Sequence, residues 1–152
     1  MTRSSPSANV AVTIGWVGDS RAYWLTETGR GERLTADDSW AERMVASGTL
    51  TEAEAGAHPN AHVLTGWLGA DAGELEPHVA AFRPEGPGTV LICSDGLWNY
   101  LPEPADIAGA KPDADPLTAA KALVRVALEA GGRDNITVVV MPASLNGPEN
   151  AK

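Results

Sequence analysis

The sequence predicts an α+β domain built on antiparallel strands, and three observations carry that expectation. Runs such as "NVAVTIGWVG" and "SRAYWLTE" are rich in β-branched and aromatic residues, the composition of a pleated, half-buried surface. Val90 to Cys93 and the run "NITVVVM" are apolar without period-two alternation, as strands buried on both faces are. Between the strand runs lie segments that carry helix-capping signatures and helical spacing.

In chain order, residues 1–8 are polar and read as a flexible amino end. The domain then occupies residues 9–142. Its first two strand runs are separated only by Gly18-Asp19, which predicts an antiparallel pair around a tight turn, with Asp19 in that turn. Ser39-Trp40-Ala41-Glu42 and Thr51-Glu52-Ala53-Glu54 have capping-box spacing and predict two short helices. "GAHPNAHVLTGWLGADAGE" has many turn residues and little periodicity, so a surface loop is expected. "EPHVAAFRP" and "GTVLICSD" return to strand character. Asp115 and Pro116 suit the cap and first position of a helix whose apolar face reads as Leu117, Ala120, Val124, Ala127 and Leu128, stopped by Gly131-Gly132. The last strand enters directly from Arg133-Asp134, and residues 143–152, "ASLNGPENAK", read as a disordered tail.

Composition narrows the function classes. A chain of 152 residues, 43% hydrophobic and 20% charged, is sized for one core and one domain. Eleven Lys and Arg against 20 Asp and Glu leave a net charge of -9, the wrong sign for neutralising nucleic-acid phosphates or anionic lipid. The amino end has no apolar stretch of signal-peptide or membrane-span character, and a single cysteine excludes an internal disulfide. A reducing cytoplasm is the expected compartment.

Chemistry concentrates at the strand ends. Asp19, Asp95 and Asp134 each stand at an end of a strand run. Hard divalent cations such as magnesium and manganese take oxygen ligands and keep several waters, so two or three carboxylates suffice for a site. Each aspartate alone has a plainer reading: Asp19 in an Asx turn, Asp95 as the cap of a helix beginning at Gly96 or Leu97.

The segments "WVGDSRAYWL", "RLTADDSW", "HPNAHVLTGWLGAD", "VLICSDGLWNYL" and "ALEAGGRDNITVVV" resemble, in this order and spacing, the carboxyl-terminal part of the metal-dependent protein phosphatases. These are the PPM or type 2C serine/threonine phosphatases, here in their bacterial form, and the similarity runs from Val10 to Met141. The resemblance implies a four-layer αββα sandwich with magnesium or manganese at one edge of the sheets, two ions or three in a complete domain. By position, Asp95 and Asp134 resemble the ligands of the second catalytic metal, and Asp19 the additional ligand of a third ion. The implied reaction is hydrolysis of phosphoserine and phosphothreonine in proteins by metal-activated water. The implied partners are phosphoproteins and a serine/threonine kinase or its targets.

Departures from the family pattern shape the expectation equally. The acidic opening segment, the Asp-Gly-x-Gly-Gly motif that bridges both metals and the preceding phosphate-binding arginine are not in this sequence, whose one Asp-Gly is Asp95-Gly96. Roughly the first two fifths of a domain of usual size are therefore expected to be missing. Exposed strand edges and apolar faces should result, with a partner chain as one way to complete the sheets. In "LTGWLG", Gly66 stands where many relatives have arginine.

Competing chemistries fit poorly. Six positions after Cys93 stands Asn99 rather than the arginine of a cysteine phosphatase, so Cys93 reads as a small core residue. His58 and His62 flank Pro59, which argues against a helical metal pair and for loop histidines. Most of the five tryptophans read as core, with Trp67 over the site, and Arg21 and Arg133 as solvated or salt-bridged. Two functions from different classes follow: a protein serine/threonine phosphatase, or a non-catalytic domain that uses the same scaffold to bind a phosphoprotein or regulate a kinase.

Overall fold

A computed structural model of the chain describes residues 11–143; the expected flexible end at 1–8 and nearly all of the expected tail lie outside them. Ala143, placed in the tail from sequence, ends a strand. In order, the elements are β1 (Val12–Trp16), β2 (Arg21–Thr26), β3 (Gly31–Arg33), α1 (Trp40–Ala46), α2 (Glu52–Ala57), β4 (His78–Phe82), β5 (Gly88–Cys93), α3 (Asp95–Trp98), α4 (Pro104–Ala110), α5 (Pro116–Glu129) and β6 (Val138–Ala143).

The strands form two antiparallel sheets, β1-β4 and β3-β2-β5-β6. Alternation along the larger sheet divides its side chains between two faces. Tyr23, Leu25, Leu91 and Cys93 point to the helices and pack with Leu97, Trp98, Ile107, Leu123 and Ala127 in the main core. On the opposite face Trp24 meets Phe82 of the small sheet, ring centroids 5.6 Å apart. Helices, large sheet and small sheet thus supply three layers of the expected four-layer αββα sandwich.

The expected hairpin between the first two strands does not form, because β1 pairs with β4 while β2 pairs with β3 and β5. Gly18 explains the difference. It has a positive φ of 93°, its amide donates to the Asp38 carboxylate at 2.8 Å, and its carbonyl accepts from the Asp38 amide at 2.9 Å. That clasp leads the chain from one sheet across to the other.

The capping signatures are realised at both short helices. Thr51 and Glu54 form a reciprocal capping box. At α1 the Ser39 hydroxyl accepts from the Glu42 amide at 3.2 Å, while the Glu42 carboxylate turns to Arg33 instead. Asp115 caps α5 by accepting from Thr118 at 3.0 Å. The buried face of α5 is Ala119, Leu123 and Ala127, which shares Ala127 with the face read from sequence but leaves Leu117 62% and Leu128 58% exposed. Leu123 fills the core at the centre of this face, and an alanine one turn to either side lets α5 pack against the sheet. Helix α4, unpredicted, begins with Pro104 in its first turn and buries Ile107 completely.

Candidate metal centre

The three aspartates reach one edge of the large sheet by different routes. Asp19 follows the clasped Gly18 and precedes β2, and its carbonyl accepts from the Trp98 indole at 2.9 Å. That bond ties the Asp19 loop to α3. Asp95 opens α3 directly after β5, with Ser94 rather than Asp95 in the N-cap position. The Asp95 carboxylate is therefore not used as a cap, contrary to the plainer reading.

Asp134 precedes β6 in a loop locked to the same strand end. Ser94 donates through its hydroxyl to the Asn135 carbonyl at 3.1 Å and accepts from the Thr137 amide at 3.0 Å. Gly96 lies so close to the Asn135 carbonyl that no Cβ would fit between them. The Asp134 carboxylate accepts from the next amide, Asn135, at 2.7 Å and is exposed.

Burial raises the Asp19 carboxyl above the ordinary carboxylate range, and the negative charges of Asp95 and Asp37 raise it further. A carboxyl whose ionisation is opposed by neighbouring negative charge is one that a nearby cation would favour. Asp19 and Asp95 stand at the same end of the paired strands β2 and β5, and Asp134 is held on the loop braced against the start of α3. Among the described residues, however, no three or more His, Cys, Asp or Glu side chains stand close enough to hold an ion. The donors fit magnesium or manganese in kind, all being carboxylates.

A charge network beside these residues was not apparent in the sequence. Asp37, its side chain 7% exposed, receives Arg21 and Arg33, each at 2.7 Å, and Arg33 also reaches Glu42 at 2.9 Å. Arg21 lies over the Trp98 ring, 3.6 Å from its centroid. Its guanidinium is engaged on both sides, in keeping with a salt-bridged role.

Next to the Gly18 clasp, the Asp38 carboxylate also meets His78 Nε2 at 2.7 Å. Against the upward pull of partial burial, the Gly18 amide and His78 hold this carboxyl below its usual range. A Cβ at Gly66 would come within 3.0 Å of the Asp38 carboxyl. Asp38 therefore fills the space a side chain at position 66 would need.

The remaining candidates have plainer places. His58 caps α2 and stacks on Trp40, with centroids 4.2 Å apart. Cys93 is buried, its thiol pushed up to about 12 chiefly by burial, so it is inert core. Trp24 and Trp98 are buried, and Trp67 is 40% exposed on the loop.

Comparison with known proteins adds the family. No family model matches the chain. The serine/threonine phosphatase stp of Listeria welshimeri is 33% identical over 141 residues, which span 91% of this chain and 54% of that protein. The PPM Ser-Thr phosphatase MsPP of Mycobacterium smegmatis, solved in complex with cacodylate, is 39% identical with a TM-score of 0.71 over 85% of this chain and 54% of that one. The catalytic domain of PstP, solved with two manganese ions, is 29% identical with a TM-score of 0.70 over 90% and 54% of the two chains. The chain thus spans about half the length of these relatives. With this identity and the same fold, it belongs to the bacterial PPM-type serine/threonine phosphatases and corresponds to the carboxyl-terminal portion of their domain.

Proposed function

We propose that these residues form the carboxyl-terminal part of a metal-dependent protein serine/threonine phosphatase, supplying Asp95 and Asp134 to one ion and Asp19 to a further one. The observation that carries this reading is the placing of Asp19 and Asp95 at the same end of the paired strands β2 and β5, where the charge of Asp95 raises the Asp19 carboxyl. Bound magnesium or manganese supplies a water of lowered pKa and polarises the phosphoryl oxygens. The chain's own contribution is positional: β5 and the Ser94–Asn135 bridge fix Asp95 beside the Asp134 loop, and the Trp98 indole fixes Asp19.

The substrates in this reading are phosphoserine and phosphothreonine proteins, with a serine/threonine kinase or its targets as partners. A buried, unpaired Cys93 thiol suits a reducing cytoplasm, and no helix of the described residues is long and apolar enough to cross a membrane. A complementary chain or segment finishes the shell and covers the larger sheet where Ile92, Val139 and Met141 are 40%, 49% and 51% exposed.

One observation favours a second reading: the described residues hold no complete cation-binding set. In that reading the chain is a non-catalytic scaffold that binds a phosphoprotein or regulates a kinase. Hydrolysis of an aryl phosphate and a phosphothreonine peptide decides between them, measured with and without manganese, beside Asp95→Asn, and with the other half of a relative's domain added in trans. Turnover that requires manganese, Asp95 and the added half supports the enzyme. No turnover in any arm, with the chain folded, leaves the scaffold.

A further inference from the structure

A cleft of about 370 Å³ lies between the α1–α2 pair and the segment from Trp98 to Pro104, with Asp19 on its wall. Its apolar lining includes Ala41, Val45, Ala55, Leu64 and Pro102. The charges on its wall do not balance. Arg21 and Arg33 are both engaged by Asp37, and Arg33 also by Glu42, so these four groups neutralise one another. Asp19 is assigned above to a metal ion. Glu52 and Glu103 remain, on opposite sides of the cleft, and among the described residues neither has a salt-bridge partner.

We infer that this cleft takes a lysine or arginine side chain of the phosphoprotein substrate, close in sequence to the phosphorylated residue. An aliphatic stem terminating in a cation matches apolar walls with two uncompensated carboxylates at the rim. Cation–π capture is not the mode, because the Trp98 ring already carries Arg21. The position of Asp19 on the cleft wall sets the distance: a side chain seated here belongs to a residue near the one whose phosphate meets the metal. The inference rests on the phosphatase reading for the substrate's identity, and it adds a recognition element at the same site.

Equilibrium binding tests it without relying on turnover. Fluorescein-labelled phosphothreonine peptides, each with one lysine at a different position within a few residues of the phosphothreonine, are titrated with the full chain at low salt and compared with an all-alanine peptide. One lysine position should improve affinity by about fivefold, the effect of an exposed ion pair, and the gain should shrink as salt rises. Glu52→Gln with Glu103→Gln should erase the preference. Glu129→Gln with Asp113→Asn, which removes the same charge elsewhere, should retain it. Equal affinity for all peptides, no binding, or a preference that survives the cleft variant overturns the proposal. Manganese-dependent hydrolysis in the trans-complemented assay, without any lysine preference, defeats the cleft and spares the phosphatase. The converse result, lysine preference without hydrolysis, spares the cleft and assigns it to a binding scaffold.

Discussion

Asp37 shows how much a single side chain controls near the candidate centre. Its nearly buried carboxylate holds Arg21 of β2 and Arg33 of β3, so removing it leaves two guanidinium groups without their main partner. Breaking a buried ion pair from one side strands the remaining charge, and Asp37→Ala is expected to cost about 3 kcal/mol in urea denaturation. Asp19 should behave in the opposite way. Its carboxyl is raised by burial and by Asp95 and Asp37, so the folded chain holds this proton more tightly than the unfolded one. The resulting penalty on the fold is absent below the unfolded carboxylate range, grows as pH rises through the folded value, and is fully present at neutral pH. Metal-free Asp19→Asn should therefore melt at or above the wild-type temperature at pH 7.5, with the difference vanishing near pH 3. Manganese should stabilise the wild type more than the variant at pH 7.5. A variant that melts clearly lower without metal would remove the charge-repulsion argument. None of this network was legible in the sequence, because Arg21, Asp37 and Glu42 meet through tertiary packing. The positions of the aspartates were legible, because each sits at a strand end marked by its own motif.

Among the elements, α5 separates what periodicity can give from what it cannot. Its limits and Asp115 cap follow from local chemistry and agree with the sequence reading, but its buried stripe is Ala119, Leu123 and Ala127. Leucines at 117 and 128 rotate the face expected from sequence to one side of the buried stripe, which centres on Leu123 with an alanine one turn away on each side. Leu123→Ala should cost about 3 kcal/mol, the range for truncating a buried leucine, whereas Leu128→Ala should stay within about 0.5 kcal/mol. Thermal denaturation of the two variants distinguishes the faces directly, and similar losses for both would return α5 to the face read from sequence. The supposed β1–β2 hairpin failed for a related reason. A Gly-Asp pair between two strand runs has the local signature of a tight turn, and only the distant Asp38 shows that the chain crosses between sheets. Helix α4 did carry a local signal, Pro104 in the first turn with Asp106 reaching back to the Glu103 amide at 3.3 Å, the capping pattern that identified the other helices.

At the scale of the whole molecule, the larger sheet has one well-covered face and one that is covered in part. Tyr23, Leu91 and Cys93 lie under the helices with at most 1% exposure. On the reverse face, Trp24 and Val90 are buried beside the small sheet, but the cross-strand pair Ile92–Val139 and Met141, the partner of Val90, remain 40–51% exposed. Three large apolar side chains on adjacent strands form a contiguous stripe of the kind that marks an interaction surface. A two-stranded sheet is too narrow to cover a four-stranded one, and this chain spans about half of each of the family's solved chains. The isolated chain should bind a hydrophobic dye such as ANS. Replacing Ile92 and Val139 with threonine and Met141 with glutamine should reduce that emission, with the helix-side core and its far-ultraviolet circular dichroism unchanged. Adding the other half of a relative's domain should quench the dye with the wild type and raise its melting temperature, and should do neither with the triple variant. Equal dye binding by the two chains would place the exposed apolar surface elsewhere than on this sheet face.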